Sequence, residues 1–213
     1  MNKHSLILGV LLCSILVLPQ AWAESKYDEE LHYFAIFPSQ PGGEGDRVQV
    51  LEFFWYACPH CYDLEPHLEA WLKNKPDNID FDRVPAMFQR SDVVMQAKTY
   101  YALRLMGLDE KLNEVIFHTI HKQDNKLLTQ EEMEKLLSGH GVDLDAYRKA
   151  MKSFAVQTQA RRAAVLAERF DVRGVPAIVV DGKYRTGGLD ARLTMEVTDY
   201  LIDRVKKERL TGE

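Results

Sequence analysis

In residues 53–62, FFWYACPHCY, two of the chain's three cysteines, Cys58 and Cys61, stand three positions apart with Pro59 and His60 between them. Three chemistries are open to such a pair: a small crosslink, half of a soft-metal site, or a dithiol that cycles with its disulfide. A crosslink closing so short a loop removes little entropy from the unfolded chain. A metal site would need His60 or His67 as further ligands, because no second Cys-x-x-Cys completes a four-ligand set. The redox reading requires two sulfurs in unequal surroundings, and those surroundings are set by the elements on either side.

Upstream, RVQVLEFFWY (47–56) alternates and then becomes continuously apolar, as in a strand buried on both faces. Downstream, Leu64, Leu68, Trp71 and Leu72 recur at spacings of three and four, which predicts a helix. The cysteines then lie at a strand-to-helix junction, with Cys58 at the helix N-terminus. Unpaired N–H groups and the positive end of the helix dipole favour an anion there, so Cys58 is expected to be an acidic, accessible thiol. Cys61, one turn on, is expected to be ordinary and more buried. Pro59 suits a first helical turn, where its missing N–H has no partner to lose. His60 adds a donor and, when protonated, a positive charge beside the sulfur. Each unit by which the Cys58 pKa falls is worth about 1.4 kcal/mol, or about 30 mV for a two-electron couple. The stabilised thiolate belongs to the reduced state, so its disulfide becomes the stronger oxidant. Pro66 inside the same helix removes a hydrogen bond and predicts a kink.

Residues 79–88 read as a second strand, and 92–170 as helical throughout. Gly107 is a C-terminal stop for the first helix, and 109–122 forms the next. Thr129 with Glu132 makes a capping box, Asp143 caps a fourth helix, and an Ala- and Arg-rich helix covers 156–170. GVPAIVV (174–180), the turn DGK and YRTGG then read as a hairpin, followed by an amphipathic helix over 190–207. Residues 24–45 read as a turn-rich leader without a confident element. This order predicts an α/β sheet with a helical domain inserted in its middle. His118 and His121 share helical i, i+3 spacing, which suits either a solvated face or a metal pair.

The chain opens with Lys3 and His4, an apolar run over 6–18, and Ala21-Trp22-Ala23. That is the layout of a secretory signal peptide over 1–23, cleaved after Ala23. The run is shorter than the roughly 18–20 residues that span a bilayer, which disfavours an uncleaved anchor. Leu12 before Cys13 disfavours a lipoprotein signal. Cleavage removes Cys13 and one lysine but no acid, moving the formal net charge from −5 to −6. The remaining length can bury a core without disulfide staples, so Cys58 and Cys61 are not needed for support. An acidic chain lacks the basic excess of a general nucleic-acid binder.

LEFFWYACPHCY together with RGVPAIVVDGKY resembles the DsbA family of exported thiol:disulfide oxidoreductases. The resemblance covers about residue 48 to the C-terminal helix. It implies a thioredoxin-like fold with an inserted all-helical domain, divided as 24–89, 90–157 and 158–213. It implies that Cys58-Pro59-His60-Cys61 is a redox-active disulfide site, and that Val175-Pro176 is a cis-proline pair facing it. Val175 would offer its backbone to an extended client as an added strand. It also implies that Glu52 is a buried acid beneath the cysteines, with a raised pKa, able to exchange a proton with Cys61. Pro66 departs from some close relatives and bears on helix geometry only. No cofactor is implied. The implied partners of the periplasmic protein are reduced or unfolded exported proteins and a membrane quinone reductase of the DsbB type; the surface pattern of the sequence suggests a monomer.

Blander readings stand beside these: Glu52 on a solvent-facing edge, Pro176 as an ordinary trans proline, and the aromatics 53–56 as core rather than client-binding surface. The function expected is oxidation of exported proteins. A reductase or isomerase of the same fold competes, as does a metal-binding or chaperone module using the cysteines as ligands.

Overall fold

A computed structural model describes residues 25–212. The segment 1–23, its cleavage after Ala23 and Cys13 lie outside the described residues. The elements run β1 (Tyr33–Ala35), β2 (Val48–Phe54), α1 (Pro59–Asn74), β3 (Ile79–Pro85), α2 (Ser91–Leu105), α3 (Asp109–Lys122), α4 (Gln130–Gly139), α5 (Leu144–Lys152), α6 (Phe154–Arg169), β4 (Ala177–Val180), β5 (Tyr184–Thr186) and α7 (Ala191–Thr211).

The strands form one sheet in the order β1-β5-β4-β2-β3. β2 and β3 are parallel, joined by α1 as the crossover, whereas β4 runs antiparallel to β2 and forms the hairpin with β5. Alternation along β2 sends Val48 and Val50 to one face, where they meet Leu64 and Leu68 of α1 and Val197, Leu201 and Val205 of α7. Leu51 and Phe53 face the other way and join a second core with Tyr100, Phe117, Tyr147 and Ala160 of the helical block. Two covered faces explain why β2 is apolar at every position but Gln49 and Glu52.

The local signals account for most helix ends. Thr129 accepts from the Glu132 N–H while the Glu132 carboxylate accepts from the Thr129 N–H, the capping box in full. Asp143, Ser153 and Asp190 cap α5, α6 and α7 with side-chain oxygens. Gly107 takes φ +69° just past α2, a conformation glycine adopts without a Cβ penalty. α1 continues unbroken through Pro66.

Three expectations need correction. Residues 24–45 contain a strand, because β1 pairs antiparallel with β5 from Tyr33↔Thr186 to Ala35↔Tyr184. β2 stops at Phe54 rather than running to 56, since Trp55–Ala57 turn and the Cys58 N–H closes back on the Trp55 carbonyl at 3.0 Å. The hairpin strand begins at Ala177, because Val175 and Pro176 belong to the loop before it.

Candidate active site

Cys58 is the N-cap residue of α1 and Pro59 opens the first turn. Both cysteines are free thiols. Cys58 is only 7 % exposed, which corrects the expectation of an open sulfur, and Cys61 is fully buried. Part of the cover comes from the loop before β4: the Val175–Pro176 peptide is cis, and the Cys58 S–H donates to the Val175 carbonyl at 3.3 Å. Val175 and Pro176 remain half-buried, so backbone stands beside the sulfur at the surface.

The two sulfurs are strongly inequivalent. The Cys58 pKa is lowered to about 6, first by the hydrogen bond its sulfur receives from the Cys61 thiol, then by the amides of Cys61 and His60 and by the His60 charge, with burial opposing. Local sequence reasoning had put the helix terminus and His60 first; the partner thiol outranks both. Burial pushes the Cys61 thiol far up, and donation to Cys58 adds to it. Pro59 and His60 themselves are exposed.

Glu52 is fully buried in the interior strand β2, which excludes the solvent-facing reading. Its carboxyl is pushed up to about 8 by burial, with the Arg83 guanidinium opposing. Glu52 also acts electrostatically on Cys61. Sequence reasoning missed the group that surrounds this acid. Arg83, 9 % exposed, pairs with Glu52 at 3.4 Å, Glu65 at 3.0 Å and Glu69 at 3.1 Å. Asn113 donates to Glu65 at 3.0 Å. The signal available was an arginine beside the apolar end of β3, with glutamates at i and i+4 on the preceding helix α1.

His118 is exposed and His121 half-buried; among the described residues no group of three or more His, Cys, Asp or Glu is arranged to hold a metal. His121 instead donates through Nε2 to the Tyr56 carbonyl at 2.8 Å. Trp55 and Tyr56 sit against the core as well as beside the cysteines. Among the described residues no helix is long and apolar enough to cross a membrane.

A dithiol with one acidic and one buried sulfur, capped by a cis-proline loop, is built for exchange with another protein's sulfurs. The chain is 42 % identical over 175 residues, 81 % of either chain, to the thiol:disulfide interchange protein DsbA of Burkholderia cepacia. It is 39 % identical to the protein of the same name from Azotobacter vinelandii, covering 94 % of this chain and 97 % of that one. The crystal structure of Pseudomonas aeruginosa DsbA superposes with a TM-score of 0.79 at 34 % identity, over 87 % of this chain and 96 % of that one. The oxidoreductase DsbA from Xylella fastidiosa gives 0.77 at 27 % identity, over 83 % and 96 %. The family model for a DSBA-like thioredoxin domain matches residues 49–196, and to that family this chain belongs.

Proposed function

We infer that Cys58 and Cys61 are the redox centre of a protein-disulfide oxidase, with Cys58 the sulfur that clients reach. The chain is a thiol:disulfide oxidoreductase of the DsbA type. The observation that carries the assignment of roles is the inequality of the two sulfurs, one lowered to about 6 and the other raised.

In the forward reaction a client thiolate attacks Cys58 of the Cys58–Cys61 disulfide, forming a client–Cys58 bond and releasing the Cys61 sulfur. The buried Cys61 cannot remain an anion at low cost, so it takes up a proton. Glu52, protonated up to about pH 8, is the donor we assign. A second client thiolate then attacks the client's own sulfur, and Cys58 leaves as its stabilised thiolate. The client loses two electrons and becomes bridged; the enzyme gains them as a dithiol. His60 favours the Cys58 anion, Pro59 sets the first helical turn, and the Val175–Pro176 loop offers an extended client a backbone edge beside the sulfur.

By the same reading residues 1–23 direct export and are removed after Ala23. The protein then works in the periplasm on reduced exported proteins and is reoxidised by a membrane quinone reductase of the DsbB type. We retain the division into 24–89, 90–157 and 158–213, with the middle segment as the insertion.

The test is oxidation of a reduced, unfolded secretory protein by wild type, Cys58→Ser and Cys61→Ser. Turnover should vanish in both variants, with trapped client adducts only where Cys58 remains. Unchanged turnover in Cys58→Ser would remove the assignment. Equilibration with glutathione buffers separates an oxidase from a reductase or isomerase, and stoichiometric zinc or copper in the reduced protein would favour the metal-binding alternative.

A further inference from the structure

We propose that His121, on the inserted helical block, is a positioning residue of the redox centre: it holds the turn that aims Cys58. The proposal rests on the redox reading above and deepens it, since it says what the helical block does for the sulfurs.

The side chain touches both flanks of the motif. Before the cysteines, His121 Nε2 lies 2.8 Å from the Tyr56 carbonyl. A carbonyl only accepts, so Nε2 carries the proton. After them, the imidazole stacks on Tyr62, next to Cys61, with centroids 4.8 Å apart and planes 15° from parallel. Lys122, the next residue, places its ammonium 5.2 Å from the same Tyr62 ring.

The carbonyl it holds is a particular one. Trp55–Cys58 is a four-residue turn closed by the Cys58 N–H on the Trp55 carbonyl at 3.0 Å. The Tyr56–Ala57 peptide is the central peptide of that turn, the unit whose orientation distinguishes one turn type from another. His121 therefore fixes the one backbone group most free to rotate between β2 and α1. A second bond ties the same turn to the block: the Trp55 indole donates to Gln96 at 2.9 Å. The Gln96 amide in turn donates to the Lys126 and Leu127 carbonyls, each at 3.2 Å. The turn ends at Cys58, whose backbone conformation (φ −81°, ψ 117°) sets where its sulfur meets the amides of His60 and Cys61 and the Val175 carbonyl.

Three variants test this: His121→Phe keeps a stacking ring without an N–H, His121→Gln restores an amide donor, and His118→Phe controls for the same helix. The readouts are the Cys58 thiolate titration by ultraviolet absorbance and the equilibrium constant with glutathione. His121→Phe should raise the Cys58 pKa by about half a unit or more, and weaken the disulfide as an oxidant about threefold. His121→Gln should recover most of that, and His118→Phe should match wild type. A wild-type pKa and equilibrium constant in His121→Phe overturns the proposal, as does an equal shift in the Phe and Gln variants. Should His121→Phe fail to fold, nitrogen NMR of the wild-type imidazole decides. An Nε2–H tautomer whose signals move between dithiol and disulfide states supports the proposal, and an Nδ1–H tautomer or identical spectra overturns it. Absence of interchange in the wild type itself would strike the redox reading instead.

Discussion

Glu52 and Arg83 stand opposite each other on the parallel strands β2 and β3, with Arg83 Nε 3.4 Å from Glu52 Oε2. The contact is one of charge alone, because neither Glu52 oxygen accepts a hydrogen bond. The two amino groups of the guanidinium are turned to α1, donating to Glu65 at 3.0 and 3.1 Å and to Glu69 at 3.1 Å. Arg83 thus serves three carboxylates, and the most buried of them gets the poorest geometry. That is why burial outweighs the ion pair and Glu52 is pushed up to about 8. An acid in that state can hold a proton at neutral pH and release it to a neighbour with little bias either way.

Glu52→Gln should flatten the pH dependence of stability. In the unfolded chain Glu52 loses its proton near 4.3, whereas in the folded protein it keeps it to about 8. Between those values the unfolded state binds fewer protons, so wild-type stability falls as pH rises. The amide removes that contribution. Urea unfolding at pH 5 and pH 8 should show the variant gaining on wild type by a few kcal/mol at the higher pH. Turnover should slow as well, since an amide cannot give Cys61 a proton. Parallel stability profiles for the two proteins would refute the assignment of Glu52 as the titrating group.

Arg83→Met should be among the most damaging substitutions outside the cysteines. It leaves Glu52 and Glu65 buried without their countercharge, a situation that costs roughly 3–5 kcal/mol. The cost should be larger at pH 8 than at pH 5, because both carboxyls, already raised by burial, can protonate at the lower pH. Denaturant midpoints at the two pH values check this; a loss equal at both would mean that packing, not charge, is what Arg83 supplies.

Cys61→Ala should raise the Cys58 pKa more than Cys61→Ser does. The largest favourable influence on the Cys58 thiolate is the hydrogen bond from the Cys61 thiol. Alanine deletes that donor, while a serine hydroxyl can replace it. Alkylation rate against pH gives the number for each variant. If alanine leaves the midpoint near 6, the helix terminus and His60 suffice, and the local reading of the motif was the better one.

Much of this was legible from short stretches because it is set by short stretches. The helix ends at Thr129, Asp143 and Gly107 follow from side chains that bond their own backbone or tolerate its conformation. Cys58 at a helix start followed from the change of period at one junction. Apart from the turn that ends β2 at Phe54, the missed features depend mostly on pairings far apart in the chain. β1 is three residues long and exists because β5 lies beside it. Arg83 meets Glu52 only through the register of two strands, which periodicity does not set. The cover over Cys58 comes from Val175, and the bond on Tyr56 from His121, both supplied by distant chain. Even the order of causes at Cys58 needed the fold, since two sulfurs three residues apart interact only once the helix between them has formed.

The last prediction concerns the difference in stability between the dithiol and disulfide forms, and it carries a turnover in pH. In the dithiol form the folded protein loses the Cys58 proton near 6, while the unfolded chain keeps it to about 8.5. Over that interval the unfolded state binds more protons, so the dithiol form gains stability as pH rises, by up to about 1.4 kcal/mol per unit. Below 6 both states are protonated and the gain is lost. Above about 8.5 the sign reverses: the unfolded chain releases the Cys61 proton, and the folded protein, with that thiol raised, does not. The disulfide form has neither titrating thiol, so the pH dependence of the difference reports on the sulfurs. Melting both forms in parallel from pH 5 to 10 should show the dithiol form the more stable at neutral pH, with the gap widest near the ordinary thiol pKa and narrowing on either side. A gap that stays constant with pH would mean that thiolate stabilisation does not set the redox balance, and a disulfide form tougher at pH 7 would make this chain no oxidant.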